Sequence, residues 1–133
     1  MNPRQKRLVQ HIKSLTTAKI WYHTCGSCIA HLPELIDNGI DIINPVQISA
    51  RDMAPVSLKA RFGNKVTFWG GGVDTQHVLP FATPEGVRED VRKNMEAFKY
   101  GGGYVFNTVH NVQAGTPAEN LLALYQAVRD AGQ

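Results

Sequence analysis

The 133-residue sequence has little cysteine, no long apolar segment and no large excess of one charge. Its two cysteines, Cys25 and Cys28, lie within one turn, which is poor spacing for a disulfide that crosslinks a fold. No apolar run approaches the ~20 residues needed to span a bilayer, and the polar N-terminus lacks the apolar core of a signal peptide. These absences argue against disulfide-rich secreted proteins and membrane proteins, and they predict a cytoplasmic protein with no membrane partner.

The charge pattern also argues against a nucleic-acid-binding protein. Lys and Arg total 14 against 11 Asp and Glu, and the basic residues are scattered except for a cluster between Arg4 and Arg7. No aromatic residues interleave with that cluster, so a solvated helix face is the better interpretation. With 43% hydrophobic residues the chain can bury a core, and its length predicts a single domain over residues 1–133.

The segment from Trp21 to Cys28 concentrates a thiol, an imidazole and a tight turn at the end of an apolar stretch. Residues two apart on a strand point to the same side, so His23 and Cys25 could bind one ion together. Imidazole nitrogen and thiolate sulfur both suit Zn²⁺, and a catalytic zinc needs three protein ligands and one open position. The pattern therefore predicts a zinc site whose third ligand comes from elsewhere in the chain.

Two other interpretations of this segment remain open at this point. His23 and Cys25 could simply be packed and hydrogen-bonded at a strand end, since cysteine is among the most buried residue types. Alternatively, Cys25 and Cys28 could form a redox dithiol at a helix N-terminus, where the helix dipole lowers the pKa of a thiol. The order of the secondary-structure elements distinguishes the redox interpretation from the metal site.

Hydrophobic periodicity and turn residues predict a leading helix followed by four strand–helix units. The predicted helices cover residues 3–15 with Asn2 as a cap, the stretch around Leu32 to Ile36 ending at Asn38-Gly39, Pro55 to Phe62, a segment beginning at Thr83-Pro84, and a segment beginning at Thr116-Pro117. The predicted strands are Lys19 to His23, Ile40 to Asn44, Lys65 to Trp69 and Tyr104 to Asn107.

Apolar spacing also predicts which helix positions are buried. The predicted positions are Leu8, Ile12 and Leu15 in the first helix, Val87, Val91, Met95 and Phe98 in the fourth, and Leu121, Leu124, Tyr125 and Val128 in the last. Thr116 and Glu119 have the spacing of a capping box at the start of the last helix.

Strict alternation of strands and helices predicts an α/β fold with a parallel sheet and right-handed crossovers. A thioredoxin-like fold requires an antiparallel hairpin near its end, so this order disfavours the redox dithiol. Ligands of parallel α/β folds gather at the carboxyl ends of the strands. We therefore expect one rim to carry the polar residues that follow the strands, namely His23, Asn44, Gln47, Trp69, Asn107 and His110.

Four motifs follow one another along the chain. They are His-Thr-Cys-Gly, Asn-Gly-Ile-Asp-Ile-Ile-Asn-Pro-Val-Gln, Phe-Gly-Asn-Lys-Val-Thr-Phe-Trp-Gly-Gly-Gly-Val-Asp-Thr-Gln and Gly-Gly-Tyr-Val-Phe-Asn-Thr-Val-His-Asn, followed by Thr-Pro-Ala-Glu-Asn. In this order they resemble the C-terminal half of the uroporphyrinogen decarboxylase superfamily, which also contains zinc-dependent corrinoid and coenzyme M methyltransferases. The resemblance implies a (β/α)₈ barrel, of which this chain holds about half, as a (β/α)₄ half barrel with a leading helix.

The resemblance also implies a function. His23 and Cys25 match the zinc ligands of the methyltransferase branch, and His110 stands where that branch usually has a third ligand, Cys, and where true decarboxylases have His. The leading expectation is a zinc site formed by His23, Cys25 and His110, with Cys28 as a fallback ligand, that activates a thiol for methyl transfer from a corrinoid. A corrinoid protein would then be a partner. Asn44, Gln47, Asp74 and Asn107 are candidates for binding substrate.

Two alternatives accompany that expectation. The chain could decarboxylate uroporphyrinogen, a tetrapyrrole, with His110 as the catalytic residue that binds the macrocycle or transfers protons. The Arg-rich N-terminal segment of true decarboxylases has no counterpart here, which disfavours this alternative. The chain could also be an inactive fragment, or a half barrel that only binds a partner.

A half barrel also predicts assembly, because its two strand edges and the inner face of its sheet are exposed. We expect a homodimer or a complex with a complementing half barrel. The inner face is expected to carry apolar residues such as Ile20, Tyr22, Ile42, Val66, Phe68, Val105 or Phe106.

Overall fold

Short apolar strands alternate with amphipathic helices along the chain, as the sequence predicts. A computed structural model describes residues 3–132. The elements in chain order are α1 (Pro3–Leu15), β1 (Trp21–His23), α2 (Leu32–Asp37), β2 (Ile42–Asn44), α3 (Pro55–Phe62), β3 (Thr67–Trp69), α4 (Pro84–Lys99), β4 (Tyr104–Val105) and α5 (Ala118–Ala131). The predicted α/β plan of a leading helix and four strand–helix units is confirmed.

All four strands are parallel and form one sheet in the order β1-β2-β3-β4. Sequential strands are therefore neighbours, as expected for half of a (β/α)₈ barrel. All the carboxyl ends lie at one edge, where His23 is paired with Asn44. The sheet formed by the described residues has no antiparallel pair, so the thioredoxin-like interpretation is not supported.

Local sequence signals determine several helix ends. Thr83 precedes α4, and its Oγ1 accepts a hydrogen bond of 3.2 Å from the Gly86 amide, which satisfies one of the free N–H groups of the first turn. Pro55 occupies the first position of α3, where its missing N–H costs nothing. After α2, Gly39 has a φ of +99°, a conformation that favours glycine. These predicted boundaries are confirmed.

The predicted capping box before α5 is wrong. Pro117 is the N-cap residue and no side chain caps the helix, because the hydroxyl of Thr116 instead donates a 2.9 Å hydrogen bond to the carbonyl oxygen of Gln113. The turn that precedes the helix thus competes successfully for the hydroxyl group. The other proposed cap, Asn2, lies outside the described residues.

The buried stripe is confirmed for α4 and is partly wrong for α1 and α5. Leu8 and Leu15 are exposed, and the buried residue of α1 is Val9. In α5 the side chain of Tyr125 is 71% exposed, and the helix buries Asn120, Ala123, Leu124 and Ala127. Adjacent residues point about 100° apart around a helix axis. A buried face predicted from the bulkiest apolar residues is therefore wrong when the packed face is formed by small residues.

The two faces of the sheet have different environments. Tyr22, Ile43, Phe68 and Tyr104 are in register and contact the helices, where the Phe98 ring stacks on Tyr104 with centroids 4.8 Å apart. A second core lies between α4 and α5, around Val87, Val91, Ala123 and Leu124.

The opposite, inner face carries Trp21, Ile42, Thr67, Trp69 and Val105 at alternate positions, and Trp21 remains 47% exposed. The predicted inner-face set was therefore mostly wrong, since Ile20, Tyr22, Val66 and Phe68 contact the helix-side core. Strands of a parallel sheet are apolar on both faces, so apolar character alone does not identify the inner one.

None of the helices formed by residues 3–132 combines the length and apolar character that crossing a bilayer requires.

Candidate metal and substrate site

The polar residues that follow the strands converge at the carboxyl edge of the sheet. His23 is the last residue of β1 and Asn44 is the last residue of β2, and their backbones are register partners. Trp69 ends β3, while Asn107 and His110 follow β4. Because all four strands run in the same direction, one edge receives side chains from segments up to 87 positions apart, the separation between His23 and His110.

The imidazole of His23 lies between Asn44 and Cys25. Its Nδ1 is 2.8 Å from Oδ1 of Asn44, and its Nε2 is 3.6 Å from Sγ of Cys25. Both His23 and Cys25 are exposed, whereas Asn44 is buried at 5% exposure. The ring is therefore anchored on its protein side and presents its other nitrogen beside an accessible sulfur.

Gln47 connects the turn after Cys25 to the neighbouring loop. Its Oε1 accepts a 2.7 Å hydrogen bond from the Gly26 amide, and its Nε2 donates at 3.4 Å to Oε1 of Gln76, which also accepts at 2.9 Å from Ser49. Gly26 has a φ of +79°, so this tight turn favours glycine. Gln47 thus fixes the segment that presents the thiol.

Cys25 and His110 border the same cavity of about 340 Å³ at this edge. Its other lining residues are Gln47, Thr75, Gln76, Val109, Asn111 and Gln113. His110 is exposed on its loop, where the Thr108 hydroxyl bonds to its carbonyl oxygen at 2.6 Å. Four polar lining residues were not predicted as site residues, and their only sequence signal is polar character in the loops after β3 and β4: Thr75, Gln76, Asn111 and Gln113.

The structure places Asp74 away from this cavity. Its carboxylate accepts from the Gln76 amide at 2.8 Å and lies 3.0 Å from Nδ1 of His77, so it closes the turn after β3. It lines a separate cavity of about 330 Å³ beside α3 and α4, together with Asp90. Burial, with the nearby Asp74 charge, raises the pKa of Asp90 above its ordinary value.

Asn107 lies at the predicted edge with an exposed side chain, and its carbonyl oxygen accepts a 2.9 Å hydrogen bond from the Gly72 amide. This bond ties the end of β4 to the glycine-rich turn after β3. The substrate-binding roles of Asp74, Asn107, Asn44 and Gln47 stay predictions.

Cys28 is not placed to act with Cys25. It is 4% exposed, and its sulfur lies 4.0 Å from Sδ of Met53 in the helix-side core. Burial raises the pKa of the Cys28 thiol, which disfavours the thiolate that both metal binding and disulfide exchange require. The structure therefore does not support Cys28 as a fallback ligand or as half of a redox dithiol.

The donor set at the rim fits a zinc ion in its chemistry. The imidazole Nε2 of His23 lies 3.6 Å from the sulfur of Cys25, and the imidazole of His110 borders the same cavity as that sulfur. Among residues 3–132 no group of three or more His, Cys, Asp or Glu side chains is already arranged around a common point. Binding by three ligands would thus require the loop of His110 to move toward the His23–Cys25 pair.

Comparison with a solved structure bears on the fold. The whole chain matches a methyltransferase from Methanosarcina mazei with a TM-score of 0.73 and 20% sequence identity, and it covers 39% of that protein. This likeness shows that the four β/α units have the same fold as part of that protein.

Curated relatives match parts of the sequence. Proteins named uroporphyrinogen decarboxylase from Psychromonas ingrahamii and Pseudoalteromonas atlantica are 35% identical over 79 residues and 34% identical over 70 residues, or 59% and 53% of this chain. A protein of the same name from Magnetococcus marinus is 27% identical over 105 residues, or 79% of this chain. The matches cover 21%, 19% and 28% of these three relatives, so the chain corresponds to a minor part of each of them.

The match to a family model is much more extensive, since the model described as Uroporphyrinogen decarboxylase (URO-D) covers residues 1–131. Because this match includes nearly every position and all the motifs at the carboxyl edge, the chain belongs to the uroporphyrinogen decarboxylase (URO-D) family.

Proposed function

We propose that this chain provides the metal-binding part of a zinc-dependent methyltransferase that transfers a methyl group from a corrinoid to a thiol. The observation that carries the proposal is the contact of 3.6 Å between Nε2 of His23 and Sγ of Cys25 at the carboxyl edge of a parallel sheet. Nitrogen and sulfur donors side by side suit zinc better than magnesium or calcium, which prefer oxygen. The fold of a methyltransferase neighbour gives further support.

His23, Cys25 and His110 would bind the ion, and the open fourth position would accept the thiol substrate. Zinc bound there would keep that thiol deprotonated at neutral pH. A corrinoid would supply the methyl group, and its cobalt would keep the electron pair of the carbon–cobalt bond when the thiolate sulfur takes the methyl carbon. The thiol proton leaves to solvent, which reaches the exposed side chains of His23 and Cys25.

The chain's own polar residues would orient the reactants. Gln47 holds the turn that presents Cys25 through its bond to the Gly26 amide. Asn111 and Gln113 line the same cavity as Cys25 and His110 and could donate hydrogen bonds to a polar substrate. A cavity of about 340 Å³ is in the range that small-molecule sites occupy.

Metal analysis tests this proposal. We expect about one zinc per chain in purified protein, because a catalytic site of this donor set binds a single ion. His23→Ala and Cys25→Ala should each lower zinc affinity by more than the roughly 10–100-fold typical of outer-shell residues. His110→Ala should have a smaller effect, since among residues 3–132 no three donors are already grouped and His110 would join the His23–Cys25 pair only when metal binds.

His11→Ala is a matched control, because His11 is an exposed histidine of α1. This variant should keep the zinc content of the wild type. Wild-type protein that is metal-free and takes up no zinc from buffer would contradict the proposal.

Decarboxylation of a tetrapyrrole is a second candidate function, and a specific observation favours it. Three curated relatives that match the chain are named uroporphyrinogen decarboxylase. In this case His110 would act on the substrate without a metal. An assay with a carboxylated porphyrinogen distinguishes the two, because the decarboxylase should lose activity with His110→Ala and keep it with Cys25→Ala.

We also propose that further β/α units cover the inner face of the sheet. Trp21 is 47% exposed on that face, β1 and β4 each have an unpaired edge within the described sheet, and the chain covers only 39% of the methyltransferase that it resembles in fold. An interface that closed the barrel would exceed ~1,000 Å². Either the rest of a longer chain or a second chain could supply these units.

Residues 1–133 on their own should therefore dimerise, or bind a hydrophobic dye, at tens of micromolar. Light scattering measures the first and dye fluorescence the second. A stable monomer that binds no dye would contradict the covered inner face, while leaving the metal site to be judged by zinc analysis.

A further inference from the structure

Asn44 is a buried polar residue whose amide bridges two neighbouring strands. It is the last residue of β2 and is 5% exposed. Its Nδ2 lies 3.1 Å from the carbonyl oxygen of Trp69 at the end of β3, and its Oδ1 lies 2.8 Å from Nδ1 of His23 at the end of β1. With both ends of the amide engaged and the side chain buried, Asn44 is poorly placed to bind a substrate directly.

The chemistry of these partners fixes the direction of each hydrogen bond. A backbone carbonyl oxygen only accepts, so the atom of Asn44 that faces Trp69 must be the NH₂ group. The carbonyl oxygen of the Asn44 amide then faces His23, and an oxygen can only accept. Nδ1 of His23 must therefore donate, which means that Nδ1 carries the proton in the neutral ring.

The unprotonated nitrogen of that tautomer is Nε2, the atom that lies 3.6 Å from Sγ of Cys25. Its lone pair is thus directed to the side where the sulfur of Cys25 is accessible. The ring of Trp21 packs beside the imidazole, with centroids 5.6 Å apart, and limits its rotation from another side. The protein thereby selects both the orientation and the tautomer of His23.

We propose that Asn44 is a positioning residue that transmits the fixed position of the β3 backbone to His23 and makes Nε2 the metal-ligating atom. The inference of Nε2 ligation rests on the proposed zinc site, whereas the tautomer itself does not depend on a metal. A histidine ligand commonly donates its second ring N–H to a protein oxygen, which fixes the ring and raises its basicity. Here the oxygen belongs to an amide that is itself held by a neighbouring strand.

The first test is the tautomer of His23 in metal-free protein labelled with ¹⁵N in its histidine rings. Long-range ¹H–¹⁵N correlation spectra of the neutral ring distinguish the protonated nitrogen from the bare one. We expect the wild type to be protonated at Nδ1. Protonation at Nε2 in the wild type would overturn the proposal, whether or not the protein binds zinc.

Variants separate this role from simple packing. Asn44→Asp keeps an oxygen that can accept from Nδ1, so it should keep the tautomer. Asn44→Leu keeps a similar volume but offers no acceptor, so the ring should shift toward protonation at Nε2, the form that free histidine prefers. Asn64→Leu, which changes an exposed asparagine in the turn that precedes β3, is the control and should change nothing at His23.

Zinc titration is the second readout. Asn44→Leu should weaken zinc binding by roughly 10–100-fold, whereas Asn44→Asp should retain most of the affinity. If the wild type has the Nδ1–H tautomer but never binds zinc, the proposed function fails and the tautomer assignment stands. If zinc binds through His23 and its affinity is the same in Asn44→Leu, the proposed function stands and the positioning role fails.

Discussion

At the amino end of β2 the carboxylate of Asp41 is paired with a lysine and a backbone amide, whereas at the carboxyl ends of the strands several donor atoms remain accessible. Asp41, just before β2, accepts hydrogen bonds from Lys13 and from the Ile20 amide at 2.7 Å, and Lys19 lies 3.8 Å away. At the other end His23, Cys25 and His110 are exposed. The amino end of β2 thus holds a paired charge, whereas the carboxyl end presents accessible donor atoms at the edge where ligands of parallel α/β folds gather.

At the carboxyl end, the β1–β2 side and the β4 side are held by different kinds of hydrogen bond. On the β1–β2 side, side-chain hydrogen bonds hold both His23 and the turn at Gly26. On the β4 side, backbone hydrogen bonds from the Gly72 amide to the Asn107 carbonyl oxygen and from the Val109 amide to the Val73 carbonyl oxygen hold the loop of His110, together with the bond from the Thr108 hydroxyl. Side-chain hydrogen bonds therefore hold His23 and the turn that presents Cys25, whereas the bonds on the β4 side act on the backbone of the His110 loop, so that fixing the exposed His110 side chain on a metal would cost conformational entropy.

The largest effect on stability is expected from a substitution in the glycine-rich turn after β3. A Cβ at Gly72 would lie 2.2 Å from Cε2 of Phe106, a ring that packs against the α4–α5 core. Gly72→Ala should therefore lower the free energy of unfolding by ~1–3 kcal/mol, the usual cost of overpacking. Urea denaturation measures this cost.

Gly132→Ala is the matched control, because a Cβ there would meet the Val128 carbonyl oxygen at an ordinary 3.4 Å. Its stability should change little. If Gly72→Ala were equally well tolerated, the carboxyl end would not depend on the close approach of the Gly72 backbone to the Phe106 ring, and the two ends of the sheet would differ less than proposed.

A smaller, pH-dependent effect is expected at the amino end. Partial burial raises the pKa of Asp41, but hydrogen bonds from Lys13 and the Ile20 amide and the charges of Lys13 and Lys19 outweigh it, so the pKa lies below its ordinary value. A carboxyl group whose folded-state pKa is lowered contributes stability above its unfolded pKa of about 3.9, and that contribution disappears as the pH falls through the folded value.

Asp41→Asn should therefore be less stable than the wild type at pH 7, and the difference between the two should shrink as the pH falls below about 4. Thermal or urea unfolding as a function of pH measures it. A difference that is constant with pH would mean that the charge of Asp41 is not the source of the stability. Asp41 would then stabilise the fold only by accepting hydrogen bonds.

Much of the fold was predictable because its signals are local. The four strands, the start of α4 at Thr83-Pro84 and the end of α2 at Gly39 all follow from residues within one turn. Which face of each helix is buried was less predictable. Tyr125 is exposed although its spacing fits a buried stripe, because small residues such as Ala123 and Ala127 form the packed face of α5. In α1, Leu15 is likewise exposed and Val9 is buried.

The site was predictable in part for the same reason. His23 ends β1 and Cys25 lies two residues later, and their side chains lie 3.6 Å apart, on the same side as the spacing predicted. Nothing local shows that Cys28, three residues later, is buried against Met53. Likewise, Asp74 follows a strand as the other candidates do, but its carboxylate turns back to the amide of Gln76.

The sequence by itself thus determined the order of the elements, the parallel arrangement of neighbouring strands and the closeness of His23 and Cys25, since each depends on hydrophobic period, turn residues or spacing along one strand. Only the tertiary structure decided that Asn44 holds His23, that Gln47 holds the turn after Cys25, and that His110 shares a cavity with that thiol. These contacts join residues 21 or more positions apart, and their geometry depends on the register between strands and on the path of each loop, which no local pattern specifies.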